Sequence, residues 1–322
     1  MEENKKVLNK KIDFMLTIEV RNANPNGDPL NGNMPRADYD GYGEISDVAI
    51  KRKIRNRWQD MGKEIFVKSN DRIDDGFKSL EKRFKSTEFI NDKNEKVEIK
   101  KENEEIIHRI SCEKWIDVRG FGQVMAFKNK KNQKEKGLSL GVRGPISISL
   151  AKSLSPVTIQ TMQITRSTNG MEKDGKSSDT MGNKHFVEYG VYIVKGSVNC
   201  FFAEKTGFTE EDVKDLKEAL KTLFVNDASS ARPEGSMSVR ELFWFEHNSK
   251  LGKVSAAKIY ELLKYNKEEN MGIFTKYSDY NIRLDEEKMK EYDIVYRKIE
   301  GDDNEKIENN KDSCMVERIE GI

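Results

Sequence analysis

The chain has 322 residues, of which 36% are apolar and 35% charged, and its net charge at pH 7 is +1. This composition is typical of a globular protein with a buried core, and the near-neutral charge excludes a small, uniformly basic nucleic-acid-binding domain. No apolar run approaches the roughly 20 residues that span a bilayer, so we expect a cytoplasmic protein without membrane contact. The three cysteines lie far apart in sequence, which fits neither a disulfide framework nor a zinc site.

The first predicted elements are a strand, a loop and a helix. Apolar residues alternate over residues 12–20, which predicts a strand with one buried face. After a loop rich in turn formers, Ser46 or Asp47 can cap a helix that ends at Gly62. The helix carries one apolar stripe, formed by Ile50, Ile54, Trp58 and Met61.

The rest of the chain alternates between apolar and polar segments. Residues 63–114 are dense in charged residues and predict an insertion, and residues 167–185 form a second polar segment. Strands are predicted within residues 144–150, 156–166, 186–202 and 237–247, a helix after Thr209, and a short helix within 256–265. Without the two insertions, the order is that of an α+β, RRM-like (ferredoxin-like) fold, in which helices cover one sheet face and leave the other available.

Five cations lie on the helix that follows the turn-rich loop. At 100° per residue, Lys51, Arg52 and Arg55 lie on one flank of the apolar stripe, and Lys53 and Arg57 lie on the other. These side chains either extend beside the core with their charged ends in water or contact a polyanion. The preceding asparagines and glycines, which permit tight turns and converging backbone N–H groups, favour phosphate binding.

Two further motifs carry weaker signals. Residues 170–177, "GMEKDGKS", match the P-loop pattern, but no helix is predicted after them, so we expect no nucleotide cofactor. The stretch "VRGFGQVMAF" resembles an RRM signature without its stacking aromatics. In it, Phe121 and Met125 either contact bases or pack in the core.

Catalytic signatures are scarce. The three histidines have no metal-ligand spacing, and no nucleophile motif is present. Asp28, Asp38, Asp40 and Asp47 cluster in sequence beside the basic helix and could serve a metal-dependent nuclease. Turn and cap chemistry is the commoner role of such residues, so we expect neither a metal site nor catalysis.

Several blocks together resemble one family. "NPNGDP", "ISDVAIKRKIRN", "DVRGFGQVMAF", "TMGNKHFVEYGVY" and "NDASSARPEGSMSVRELFWFEH" are similar to the backbone subunit of type I CRISPR effector complexes, the Cascade protein of the RAMP superfamily that lines the guide RNA. The similarity covers roughly residues 12–250. The blocks "DVRGFGQVMAF" and "TMGNKHFVEYGVY" are most like subtype I-C.

This resemblance implies an organisation and a set of partners. It implies one RRM-like domain over residues 1–322, with fingers at 63–114 and a thumb at 164–190. An acidic C-terminal tail at 300–322 has no family counterpart. The implied partners are CRISPR guide RNA, the target DNA strand, further copies of the chain and other Cascade subunits. The resemblance and the helix flank together predict RNA contacts at Arg21, Asn24, Asn26, Arg36, Lys51, Arg52, Arg55, Gly122, Met125, Arg166 and Ser167, and contacts with a neighbouring copy at Met181, His185 and Phe186.

The predicted function is therefore a non-enzymatic RNA-binding subunit that assembles along guide RNA. The alternative is an RNA endonuclease that uses Asp28, Asp38 or Asp47, because backbone subunits of related type III complexes cleave RNA.

Overall fold

A computed structural model describes residues 6–126, 139–165, 181–267, 273–297 and 313–322. The helices are α1 (Asp47–Asp60), α2 (Leu80–Lys85), α3 (Glu104–Lys114), α4 (Ile116–Phe121), α5 (Cys200–Thr206), α6 (Glu210–Lys221), α7 (Ala256–Tyr260) and α8 (Glu286–Glu291). The strands are β1 (Ile12–Ala23), β2 (Gly27–Asp28), β3 (Met34–Pro35), β4 (Tyr42–Ile45), β5 (Gly122–Ala126), β6 (Ser139–Arg143), β7 (Ile146–Ile148), β8 (Ala151–Pro156), β9 (Ile159–Thr165), β10 (Met181–Val198), β11 (Met237–Glu246), β12 (Leu263–Lys264), β13 (Arg283–Leu284), β14 (Ile294–Tyr296) and β15 (Cys314–Glu320).

One large mixed sheet organises the described residues. Its strands run in the order β14-β15-β11-β1-β10-β8-β4, and β7 and β9 also pair with β10. The β14–β15 pair is parallel, and β1 pairs antiparallel with both β10 and β11. The first predicted strand therefore lies in the middle of the sheet, where both of its edges are hydrogen-bonded.

The first face of the sheet is covered by α1 and α6. The even-numbered apolar residues of β1 pack there with the helix stripe of Ile50, Ile54 and Trp58. Ser46 caps α1 as predicted, because its hydroxyl accepts the Ala49 N–H at 3.3 Å. Thr209 and Asp212 form the predicted capping box at the start of α6.

The second face of the sheet is also covered, which corrects the prediction that it stays available. Met15, Val191, Ile193, Phe243 and Phe245 form its apolar layer, and apolar residues within 254–267 and 273–294 pack onto that layer. The sequence signal for this cover is weak, because its helices and strands are short. A complete stacking platform of the RRM kind is therefore not open on the described sheet.

The described part of the predicted acidic tail at 300–322 contains a strand of the main sheet. This strand, β15, pairs with β11 from Glu241↔Glu320 to Glu246↔Met315. Cys314 and Val316 are buried in the second-face cluster. Residues 200–202, predicted as the end of a strand, instead begin α5.

The segment at residues 63–114 has a core of its own. Phe66, Phe84, Phe89 and Trp115 pack in a cluster distinct from those on the two sheet faces. The β5–β6 hairpin contributes Met125, Leu140 and Val142 to the same cluster. This segment and the hairpin therefore pack as a unit beside α1.

Candidate nucleic-acid interface

The basic helix α1 is anchored to the protein by its arginines. Arg55 Nε lies 2.9 Å from Asp117 Oδ2, and the Asp117 side chain is only 1% exposed. The same carboxylate accepts the backbone N–H groups of Phe66 at 2.6 Å and Val67 at 3.1 Å. Arg52 donates to the Val67 carbonyl oxygen at 2.7 Å, and burial lowers the pKa of Arg52. For Arg52 and Arg55, the structure favours the packing alternative over phosphate contact.

The other cations of α1 also have partners within the chain. Lys51 forms an ion pair with Asp47 at 3.0 Å and keeps part of its side chain exposed. Lys53 is buried against Asp227, and desolvation lowers its pKa to about 8. Arg57 donates to the Thr222 hydroxyl at 2.7 Å. Of the three RNA candidates on this helix, Lys51 alone keeps its charge near the surface without a buried acceptor.

The loop before α1 is closed by its own polar residues. Asn24 is buried and donates to the Asn33 carbonyl oxygen at 2.7 Å, and Asn26 Oδ1 accepts the Ser46 N–H at 2.9 Å. Gly32 and Asn33 take φ values of +58° and +61°, as the predicted tight turns require. Arg36 donates to Asp28 at 3.2 Å and remains partly exposed. The asparagines therefore shape the loop, whereas Arg36 lies on its surface.

Arg21 is placed at the exposed end of the second sheet face. Its guanidinium lies 4.7 Å from the centre of the Tyr189 ring and donates to Glu19 at 2.7 Å. The side chain is 48% exposed. Among the predicted RNA contacts within the described residues, Arg21 is thus an accessible cation held in a fixed orientation.

The RRM-like signature lies away from the main sheet. Residues 116–121 form α4, and Arg119 makes a two-bond ion pair with Asp212 at 2.6 and 2.9 Å. Gly122 has φ +79°, and a Cβ atom there would lie 2.3 Å from the Val142 carbonyl oxygen, so this glycine is needed for packing. Met125 is completely buried, which contradicts the predicted base contact. Its neighbour Val124 is a large apolar residue of β5 that is exposed.

Strands β9 and β10 extend as a two-stranded ribbon in which cross-strand pairs share a face. Met181 pairs with Thr165 and His185 with Thr161, and the His185 ring nitrogen lies 2.9 Å from the Thr161 hydroxyl. Phe186 pairs with Gln160 on the opposite face, which it shares with Met162 and Ile164. Arg166 and Ser167, and the P-loop look-alike, lie outside the described residues.

The ribbon has an apolar face that is not among the features predicted from the sequence. Met162 and Ile164 are 54% and 50% exposed, an uncommon state for apolar residues that alternate along a strand. Their alternation in an otherwise polar strand was the available signal. The predicted contact residues therefore divide between two faces, with Met181 and His185 on one and Phe186 on the other.

The candidate catalytic carboxylates do not converge. Asp28 pairs with Arg36, Asp47 pairs with Lys51, and Asp38 accepts the N–H groups of Asp40 and Tyr42. A hydrogen bond from Lys152 lowers the pKa of Asp38. Within the described ranges, no group of three or more His, Cys, Asp and Glu side chains could hold a metal ion. The described part of the chain also contains no helix long and apolar enough to cross a membrane.

A mixed sheet with helices among its covering layers, an apolar cluster on each face and a ribbon with exposed apolar residues define the chain as a mixed α/β protein. The sequence model of the CRISPR-associated protein Cas7 family matches residues 10–285. The chain belongs to this family.

The chain is also similar to individual proteins. A CRISPR-associated protein Cas7 from Haloferax volcanii is 26% identical over an alignment of 217 residues that covers 63% of this chain and 61% of that relative. The chain thus spans about three fifths of the length of this curated relative. Chains of two solved structures are also similar, one of a CRISPR RNA-guided surveillance complex (15% identity, TM-score 0.42) and one of such a complex described as pre-nicking (14%, 0.45). The matches cover 73% of this chain in both cases, and 68% and 78% of the matched chains.

Proposed function

We propose that this chain is a backbone subunit of a type I CRISPR effector complex that binds guide RNA, polymerises along it and presents it for pairing with target DNA. Membership of the Cas7 family, matched over residues 10–285, is the observation that carries the proposal. Its partners are guide RNA, the target DNA strand, further copies of itself and other Cascade subunits, in the cytoplasm. The sequence blocks favour subtype I-C.

The exposed cations described above support the proposed binding of guide RNA. In RNA-guided recognition, base pairing reads the sequence and the protein holds the nucleic-acid backbone. Arg21, Arg36 and Lys51 keep part of their side chains exposed, and each is paired with one carboxylate that limits its motion. A few oriented cations suit phosphate contacts in a chain whose net charge is only +1.

We further infer the parts of the fold that serve assembly. The described order β11-β1-β10-β8, with α1 and α6 on one face, is consistent with an RRM-like palm. Residues 63–114, which have their own apolar cluster, correspond to fingers. The β9–β10 ribbon overlaps the thumb at 164–190, and its exposed apolar face contacts the next copy.

The experiment that tests this function uses RNA length as the variable. The purified chain is mixed with guide RNAs of increasing length, and the mass of each complex is measured by mass photometry. The number of bound copies should rise stepwise with RNA length, because a head-to-tail contact does not close on itself. A folded chain that leaves RNA unbound at low salt would overturn the proposal.

The nuclease alternative is tested in the same preparation. Asp28, Asp38 and Asp47 are separately engaged, so we propose that the subunit is non-catalytic and needs no metal or cofactor. Labelled RNA incubated with the chain and Mg²⁺ or Mn²⁺ should stay intact. Cleavage that disappears in Asp38→Ala would instead support the nuclease.

A further inference from the structure

A β-bulge places one arginine of β11 on the open end of the second sheet face. The register passes from Thr17↔Glu241 to Ile18↔Val239, so Arg240 is the extra residue between two paired positions. Bulges of this kind re-aim a side chain and occur next to functional sites. The Arg240 guanidinium lies 5.0 Å from the centre of the Tyr277 ring, and its side chain is 46% exposed.

Arg240 and Arg21 meet at one carboxylate. Glu19 Oε1 accepts from Arg21 Nη2 at 2.7 Å and from the Tyr189 hydroxyl at 3.0 Å. Glu19 Oε2 lies 3.7 Å from Arg240 Nη1. The Glu19 side chain is 8% exposed, so the carboxylate lies beneath the two arginines. We call these residues, Glu19, Arg21, Tyr189, Arg240 and Tyr277, the arginine–tyrosine cluster.

The arginine–tyrosine cluster holds its two arginines in fixed orientations, as a binding surface does. Each arginine lies over one aromatic ring and has one edge turned to Glu19, which fixes a long side chain that would otherwise lose much entropy on binding. Two guanidiniums on one carboxylate leave a net positive charge at the surface. Burial raises the pKa of the Tyr189 hydroxyl, so it remains a donor to Glu19.

The bulge is hard to explain by stability alone. A half-exposed arginine 3.7 Å from a carboxylate forms a weak ion pair, of the kind worth less than about 1 kcal/mol. The bulge interrupts the hydrogen bonding between β1 and β11. It lies at the position that turns Arg240 towards Glu19. The planar guanidinium fork matches the oxygen atoms of a phosphodiester.

We propose that Arg21 and Arg240 together bind phosphodiester groups of single-stranded RNA, and that Glu19 is the positioning residue that orients both. This inference rests on the proposed function, which it deepens by adding Arg240 and Glu19 to the RNA surface. The second sheet face thus retains a binding role at the end where Arg21 and Arg240 lie, although residues within 254–267 and 273–294 cover its middle.

The sharpest test is Glu19→Gln, because its electrostatic effect and its positional effect on RNA affinity have opposite signs. Glu19→Gln removes a negative charge, so an unoriented electrostatic surface would bind RNA more tightly. If Glu19 positions the arginines, the variant binds RNA more weakly than the wild type. Glu246→Gln is the matched control, because Glu246 is a partly buried carboxylate of β11 paired with Arg297 at 2.5 Å. The control should bind RNA as tightly as the wild type or more tightly.

Arg240→Ala tests the direct contact between Arg240 and RNA. This test holds even if the Glu19→Gln variant does not fold. RNA affinity should fall about tenfold, as expected for one lost charge-assisted hydrogen bond. The slope of log affinity against log salt should become shallower by about 0.7. If the wild type binds RNA and folded Arg240→Ala binds equally well with an unchanged slope, this inference is wrong and the proposed function stands. If the wild type does not bind RNA, the proposed function itself fails.

Discussion

Arg55 Nε lies 2.9 Å from Asp117 Oδ2 and so joins α1 to the start of α4 across 62 positions of sequence. Because Asp117 is almost fully buried and also holds the N–H groups of Phe66 and Val67, the pair fixes the segment at 63–114 against the basic helix. Arg55, for which the sequence predicts an RNA contact, is therefore part of the protein's internal framework.

The first prediction concerns this pair. Arg55→Ala should lower the free energy of unfolding by about 3 kcal/mol, because it leaves a buried carboxylate without its counter-charge. Lys51→Ala, on the same helix, should cost less than about 1 kcal/mol, because its partner Asp47 is exposed. Urea denaturation measures both. Equal stability of the two variants would show that the Asp117 contact contributes little.

The sequence predicted what depends on local spacing. The strand β1, the stripe and cap of α1 and the capping box at Thr209 depend on neighbouring residues, and the structure confirms them. The prediction that β1 has a single buried face is wrong, because residues 12–20 are all buried. The helical period also predicted on which side of the apolar stripe of α1 Arg55 lies. It could not give Asp117 as the partner, because that contact depends on how two distant segments pack.

Long-range pairing also explains the larger errors. The partner of β11 on its outer edge is β15, whose charged sequence, "CMVERIE", resembles a solvated tail when its neighbours are unknown. Met125 was assigned to RNA by resemblance, whereas one residue of register separates it from the exposed Val124. A strand's inward face cannot be chosen until its partner layer is known.

The second prediction uses the surface cations among the predicted RNA contacts. Replacing Arg21, Arg36 and Lys51 together by Ala should reduce the slope of log affinity against log salt by about 2, at about 0.7 for each lost phosphate contact. The matched control replaces Lys85, Lys96 and Arg109, three exposed cations of the 63–114 segment. The control removes the same charge, and it should reduce the slope of log affinity against log salt by less. Identical slopes in the two triple variants would argue against an RNA path across Arg21 and Arg36.

The third prediction is a pH dependence from the buried Lys53. Its folded pKa of about 8 lies below the unfolded value of about 10.4, so between these values the unfolded chain binds more protons. The contribution of Lys53 to the free energy of unfolding is therefore lowest below pH 8 and rises with pH above it. From pH 8 to pH 10, the wild type should gain about 1–2 kcal/mol relative to Lys53→Met. Parallel pH profiles of the two proteins would contradict this assignment.

The fourth prediction concerns β15. Val316→Asp places a charge in the second-face cluster, where Val316 is fully buried, and should destabilise the fold by several kcal/mol. Glu320→Gln, on an exposed position of the same strand, should leave the melting temperature nearly unchanged. Thermal unfolding followed by circular dichroism distinguishes them. A Val316→Asp variant as stable as the wild type would mean that β15 does not pack on the sheet.

The last prediction separates the two faces of the β9–β10 ribbon. Met162→Lys with Ile164→Lys places two charges on the apolar face, where they would have to be desolvated in a contact between copies. Both positions are about half exposed, so the isolated chain should remain folded. Assembly on a long guide RNA should therefore fail, while binding of one copy to a short RNA persists.

The matched control places the same charges on the polar face of the ribbon. Thr161→Lys with Gln163→Lys changes two positions of β9 that alternate with Met162 and Ile164. Because the backbone pairing and the added charge are the same, the control separates a face-specific contact from general repulsion between copies. Mass photometry on long RNA should show full-length assemblies for the control and short ones for the apolar-face variant. If both variants assemble equally, the neighbouring copy does not use the apolar face, and if the control alone fails, the contact lies on the face of Met181 and His185.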